Sequence, residues 1–507
     1  MRAAPARYAL AAFLLILAAA TTRTASATVI HVPSGEPTVA AGIAAASPGD
    51  TVRIACDTYY EHDLSVAKQI TIESASGDPS CVTIDADGDG RVMYVSVADG
   101  VVLRGITFAN GFAAYGAGVI VYEVDVEIRS CRFTGNHATG ECGGLRCQRN
   151  SVQISDCLFN DNTSDSGTGG CELDDVHGLI ENCTFDGNDA PWGAGLSIYR
   201  PSTVTLDGCV FQDNYAWGPD SYGGGAYCYS DAAPTFTGCT FGFNESDFCG
   251  GGLGIDTNCA ATVQNCSFTG NTAVHGGGFY VWLCGAGGFD ECTFTANVAD
   301  SSGGGGLLEW GGGVYVTNST FTGNEALTGG GLNYFQTTGG PVDCTFYENS
   351  AYYGGAITYG DCASAWATGC TMVRNGAVSR QAHGAGVAMV GWFDVALDRC
   401  IIAFSTAGEA AVAAFGTVTA TACVVHGNAG GDWTEALAGQ ESLEHNTGAD
   451  PLFCDVMAPD LTLCYDSPCL PWNNTPFVQI GAHGEGCGAC GPAVERTTWG
   501  SVKAKYR

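Results

Sequence analysis

The chain has 507 residues, 52 of them acidic and 19 basic, for a formal net charge of −33. A surface that acidic repels nucleic acid and anionic lipid, and both are set aside as partners. Glycine is abundant at 74 residues, but aromatic and β-branched residues recur in register with it, which argues against a disordered low-complexity chain.

In chain order, residues 1–27 read as a secretory signal peptide. Arg2 and Arg7 precede the apolar run from Tyr8 to Ala20, and Ala25-Ser26-Ala27 offers a cleavage site. No later stretch is apolar for long enough to cross a bilayer as a helix. The 26 cysteines fit the oxidising compartment this leader implies, so the expected location is extracellular or at the cell surface. Residues 28–112 form an N-terminal cap and the first coils. Within them Pro37-Thr38 and the run from Val39 to Ala46 predict a short amphipathic helix that plugs one end of a core. Asp85-Ala86-Asp87-Gly88-Asp89-Gly90 reads either as half of a calcium loop, with Asp85, Asp87 and Asp89 as ligands, or as a plain turn. Calcium is the one cofactor these residues suggest.

Residues 113–430 carry a repeat: Cys-x-Phe-x-x-Asn, a few polar residues, then a glycine cluster. Copies begin at Cys131, Cys157, Cys183, Cys209, Cys239, Cys266, Cys292, Ser319, Cys344 and Cys370, with degenerate copies at Cys400 and Cys423. The spacing runs from 23 to 30 residues and is mostly 26 or 27. A period of that size means stacked units, none of which buries its apolar face alone. Cysteine and phenylalanine share parity, so in a strand both point inward, while the residue between them, most often threonine, points out. The asparagine ends the strand at a turn where it can adopt the left-handed conformation, and stacked coils would place the asparagines in a ladder. A second strand follows the glycines and a third precedes the next cysteine. The expected fold is therefore all-β: a right-handed parallel β-helix with three strands per coil, an N-terminal helix cap and a disulfide-rich C-terminal cap.

Two sets of outward residues stand out. Glu172 and Asp174 stack beside Arg146 and Gln148 one coil earlier, which reads as a calcium or substrate site or as a surface charge pair. Counted from the glycines, the outward positions include Tyr199, Tyr227, Tyr229, Tyr280, Trp282, Phe335 and Tyr359, with Asp256 and Glu309 among them. Stacking would turn these into an aromatic stripe, either a sugar-binding face or a secondary core buried under long turns. The acids Glu172, Asp174, Asp256 and Glu309 are the candidates for catalysis. Histidines such as His275, His383 and His426 lie beside glycine and read as turn residues.

After Asn428 the repeat dissolves. Residues 431–492 hold Cys454, Cys464, Cys469, Cys487 and Cys490, which suit a disulfide-held cap or, through Cys487-x-x-Cys490, a zinc site. Residues 493–507 are a basic, aromatic tail, read as a sorting or anchoring signal or a frayed end.

The opening resembles that of pectate-lyase-like right-handed β-helix proteins in Pro37-Thr38-Val39, Gly49-Asp50-Thr51-Val52, Thr58-Tyr59-Tyr60-Glu61, Ile70-Thr71-Ile72 and Gly105-Ile106-Thr107-Phe108. The repeats from Cys131 to Asn375 resemble those of polymorphic outer membrane proteins, through F-x-x-N and the literal Gly354-Gly355-Ala356-Ile357. That resemblance implies a surface rod used for adhesion, here without the autotransporter barrel of the family. The acid and base set of polygalacturonases is absent. The expected function is binding to a polysaccharide or another cell-surface component; the alternatives are a polysaccharide lyase or hydrolase and a structural spacer.

Overall fold

The computed structural model describes residues 27–377, 384–413, 415–457 and 460–490. The signal peptide but for its last residue, the 493–507 tail and His383 lie outside the described residues. The repeat folds as a right-handed parallel β-helix of three long sheets with 24, 15 and 11 strands. The first is largest because most coils give it two strands, one after the glycines and one before the cysteine, as in Leu196–Tyr199 and Thr203–Asp207. In two coils these merge into the 11-residue strands Leu145–Ser155 and Cys171–Glu181. The Cys-x-Phe segment builds the second sheet. A two-residue strand just after the asparagine, such as Thr163–Ser164, builds the third.

Register is in phase from coil to coil, so like residues stack. Phe133 pairs with Phe159, Phe159 with Phe185 and Phe185 with Phe211. Their rings lie face to face at 4.7–4.8 Å, and all four are fully buried. Asparagines Asn136 to Asn375 form the expected ladder. In each rung Nδ2 donates to Oδ1 of the next asparagine, at 2.9 Å from Asn136 to Asn162 and from Asn188 to Asn214. The same amide donates to a phenylalanine carbonyl of the preceding coil, as Asn162 does to Phe133 O at 2.9 Å. These bonds satisfy polar groups that the tight turn would otherwise bury unpaired. One detail differs from expectation. The left-handed residue is the one before the asparagine, Gly135 (φ 64°), Asp161 (φ 54°) or Phe243 (φ 55°), because the asparagine itself must aim its amide along the solenoid axis. The glycine cluster exists for close approach: a Cβ on Gly170 would strike Gly195 O of the next coil.

The N-terminal helix spans Val39–Ala45, with Thr38 Oγ1 accepting from Ala41 N at 3.0 Å. It buries Val39, Gly42 and Ile43 over the open end of the first coils, where Gly42 lies against the Val32 and Val52 side chains. Glu61 accepts from Val39 N and Ala40 N at its start, and Lys68 Nζ donates to Ala44 O and Ala46 O at its end, both favourable to the helix dipole.

The C-terminal segment does two things. The short 3-10 helix Glu435–Leu437 buries Leu437 at the other end of the core. Residues 451–457 and 460–490 instead double back along the flank, on the outward face of the Cys-x-Phe sheet. Tyr347 Oη donates to Val456 O at 3.1 Å, Ala482 N to Thr371 Oγ1 at 2.9 Å and Gly481 N to Arg399 O at 2.8 Å. Ile401, Ala403 and Val424 are buried there with Leu463, Leu470 and Ile480. Disulfides join Cys454 to Cys487 and Cys464 to Cys490. Both cysteines of the Cys487-x-x-Cys490 spacing are thus engaged as disulfides, which leaves no thiolates for the zinc alternative.

Candidate functional site

The strand after the glycines presents two outward columns. One runs Arg146, Glu172, Ser197, Tyr227, Gly254, Tyr280, Leu307 and Asn333. The other runs Gln148, Asp174, Tyr199 and Tyr229, then Asp256, Trp282, Glu309 and Phe335. Tyr359 does not join them. It is fully buried and stacks on Tyr334 in the core, with ring centroids 5.3 Å apart. The reason lies in the glycine cluster: Ala356 occupies the place of Gly331, the last of three glycines in the coil before, so the inward residue is Ile357, one later than a count from the glycines predicts. Thr358 takes the outward position instead.

The stripe is divided. Its middle is covered: Tyr280 is 5% exposed and packs with Cys249 and Leu307, and Tyr222, Phe248 and Trp282 lie against that cluster. Its tyrosines are held by carboxylates of the following coil. Tyr227 Oη donates to Asp256 Oδ2 and Tyr280 Oη to Glu309 Oε2, both at 2.9 Å. Burial raises the Asp256 carboxyl from its ordinary value and pushes both phenols far up, so these hydroxyls act as donors.

At each end of the covered stretch the face opens. A pocket of about 480 Å³ is lined by Trp192, Tyr199, Tyr222, Tyr227 and Tyr229, with Glu141, Arg200 and Asp220 among its polar groups. Tyr229 is 40% exposed. Tyr227 stacks between Tyr222 and Tyr229 at 5.4 and 5.8 Å. A second pocket, of about 370 Å³, includes His275, Glu309, Asn333, Phe335 and Asp361 in its lining. Among the described residues, buried Asn333 Oδ1 has no hydrogen-bond partner.

The acid pair at Glu172 and Asp174 stacks as expected beside Arg146 and Gln148, but it is walled in. Glu172 is 1% exposed; Arg146 Nε lies 2.8 Å from its Oε1, and Arg146 Nη2 is 2.6 Å from Glu141 Oε2. Burial outweighs the arginine and pushes the Glu172 carboxyl up to about 7. Asp174 accepts from Gln148 Nε2 at 2.7 Å and pairs with Arg200 Nε at 3.1 Å. Glu172 and Asp174 lie on the strand flanking Leu196–Tyr199, beside the first pocket; Asp256 and Glu309 lie further along and bind tyrosines. The four acids are therefore not one constellation. Asp85, Asp87 and Asp89 sit at a turn in which Asp87 N donates to Asp85 Oδ1 at 2.9 Å. They do not gather into a group of metal-ligating atoms; among the described residues the one such group is Cys454, Cys464 and Cys487, which the disulfides engage.

Sequence reasoning missed Trp192, Tyr222 and Arg200. Trp192 and Tyr222 belong to one column that continues through Cys249 and His275, each residue directly before the glycine run. That position was the available signal.

Fold and face together define a class: a parallel β-helix with two pockets on one side of its coils. The chain belongs to the right-handed β-helix family, whose "Right handed beta helix region" matches residues 92–253 and 224–447. No curated protein matches it. Among solved structures it is similar to pectate lyase Pel9A, at 13% identity over 54% of this chain and 76% of that one, with a TM-score of 0.36. It is also similar to the A-module of an Azotobacter vinelandii mannuronan C-5 epimerase, at 11% over 75% and 91%, with a TM-score of 0.29. A third likeness is to PfbA, a surface adhesin of Streptococcus pneumoniae, at 10% over 76% and 84%, with a TM-score of 0.22. At these values the likenesses say nothing of activity.

Proposed function

We propose that this chain is an extracytoplasmic polysaccharide-binding protein that takes a neutral or cationic glycan at the open pockets of its coil face. The observation that carries the reading is the pocket of five aromatic side chains, Trp192, Tyr199, Tyr222, Tyr227 and Tyr229, contributed by two successive coils. Aromatic faces pack against the apolar faces of sugar rings while polar neighbours take their hydroxyls. The charge supports a neutral or cationic ligand: the protein is at −33, and the pocket's Arg200 is already paired with Asp174. The second pocket, with its unpartnered Asn333 acceptor and the acids Glu309 and Asp361, offers acceptors to hydroxyl or ammonium donors further along the same chain of sugars.

A second reading, a polysaccharide lyase or hydrolase, is favoured by one observation: a carboxyl raised to about 7 at Glu172, in the range of a general acid. The 1% exposure of that residue counts against it.

One experiment decides. The purified protein is titrated with neutral, cationic and acidic polysaccharides, with and without calcium, and the chain length of each glycan is measured afterwards. Binding of an intact neutral or amino polysaccharide, lost in Trp192→Ala and Tyr229→Ala, is the expected result. Shortened glycans lost in Glu172→Gln would replace binding by catalysis, and no binding at all would remove both readings.

A further inference from the structure

Six cysteines are disulfide-bonded: Cys56 to Cys81 near the N-terminus and the two pairs of the C-terminal segment. Twenty others are thiols, all buried. Eleven of these form one inward column. The register that pairs Arg132 with Leu158, Leu158 with Thr184 and Thr184 with Val210 sets Cys131, Cys157, Cys183 and Cys209 directly over one another. The column continues through Cys239, Cys266 and Cys292. Ser319 interrupts it, and it resumes with Cys344, Cys370, Cys400 and Cys423.

We propose that consecutive members of this column are cross-coil disulfide sites, joined in adjacent pairs when the chain folds in the presence of a thiol–disulfide oxidant. The geometry is that of neighbouring parallel strands, about 4.8 Å apart, inside the Cα range of about 4.4–6.8 Å that a disulfide spans. The protein already uses it: Cys56 and Cys81 join successive coils one position away from this column, with Cα atoms 4.6 Å apart. Sulfurs of the column also lean toward the coil before. Cys157 Sγ accepts from Cys131 N at 3.4 Å, Cys266 Sγ from Cys239 N at 3.3 Å and Cys423 Sγ from Cys400 N at 3.4 Å, so no side chain separates neighbours.

The chemistry balances with oxidised glutathione as the oxidant. One cysteine sulfur attacks its disulfide, forming a mixed disulfide and releasing one glutathione; the neighbouring cysteine displaces the second. Two thiols and one oxidised glutathione become one cystine and two reduced glutathiones, which carry both protons. Burial sets the order of events. Once a coil is covered, neither the oxidant nor the thiolate form is available, so pairing occurs as coils stack. Ser319 also sets a limit: runs of seven and four cysteines give at most three and two disulfides, with one thiol left over.

The test refolds the full chain from denaturant in a glutathione redox buffer or in dithiothreitol, then alkylates free thiols in acid and maps the digest by mass spectrometry without reduction. Oxidative refolding is expected to yield peptides cross-linked between consecutive column cysteines, up to five such disulfides, and a denaturation midpoint above that of the reduced protein. Ser319→Cys, which makes one run of twelve, is expected to add a sixth. The proposal is overturned if the eleven cysteines are all alkylated while Cys56–Cys81, Cys454–Cys487 and Cys464–Cys490 have formed. It is equally overturned if the bridges join cysteines that are not neighbours. A matching β-sheet circular dichroism signal in both preparations ensures that folded protein is compared.

Discussion

The inward column that includes Phe133 and the outward column that includes Arg146 belong to the same coils and behave oppositely. From Phe133 to Phe346 the inward residue is always phenylalanine, its rings near-parallel at 4.5–5.0 Å. Over the same coils the outward residue changes from arginine to glutamate, serine, tyrosine, glycine, tyrosine, leucine, asparagine and threonine. Every inward site faces an identical neighbour above and below, so one solution serves all coils. An outward site faces whatever its local turn or ligand presents. Regularity marks the part of the coil that holds the rod together, and departure from it marks the part free to take on a function.

Four substitutions break or sharpen that contrast. Phe211→Ala empties a slot between rings at 4.7 Å on either side and is expected to cost about 3–5 kcal/mol in denaturant unfolding. Asn214→Ala removes an amide that donates to Phe185 O and Asn244 Oδ1 and accepts from Asn188. It strands buried partners for a loss of about 2–4 kcal/mol, and a loss below about 1 kcal/mol would show that the ladder relaxes around the gap.

On the outward side, Glu172 gives a pH signature. Its carboxyl rises from 4.5 to about 7 on folding, so between those values the folded state keeps a proton the unfolded chain has released. Stability is therefore highest below about pH 4.5 and falls as pH rises to 7, by about 1–3 kcal/mol for this group. Glu172→Gln should flatten that part of the melting-temperature profile; an unchanged slope would place its origin elsewhere. Smallest in stability is Tyr229→Ala, within about 0.5 kcal/mol of the parent because the residue is 40% exposed. Glycan affinity should nevertheless fall about tenfold by calorimetric titration. A Tyr229→Ala variant that binds normally would separate the pocket from the function proposed for it.

The sequence by itself determined the β-helix, the inward pairing of cysteine with phenylalanine, the asparagine ladder, the helix plug at Val39 and the stacking of Glu172 on Arg146. All are consequences of a two-residue strand period multiplied by a coil repeat, and both periods are visible in one dimension. Tertiary structure alone decided three things. It placed Tyr359 inward, because Ala356 fills the last glycine position and the strand, in unbroken register, begins one residue later than the glycines suggest, which reverses the face. It covered Tyr280 but opened Tyr229 and Trp192, since burial on the outer face depends on how each turn folds over it. It also laid residues 451–457 and 460–490 along the flank rather than only across the end. A trace of that last choice stood in the sequence: where most coils show an outward threonine, the two consecutive coils at Cys400 and Cys423 show Ile401 and Val424, apolar residues that need a cover. Which segment supplies the cover is a matter of contacts between residues far apart in the chain, and no local period records it.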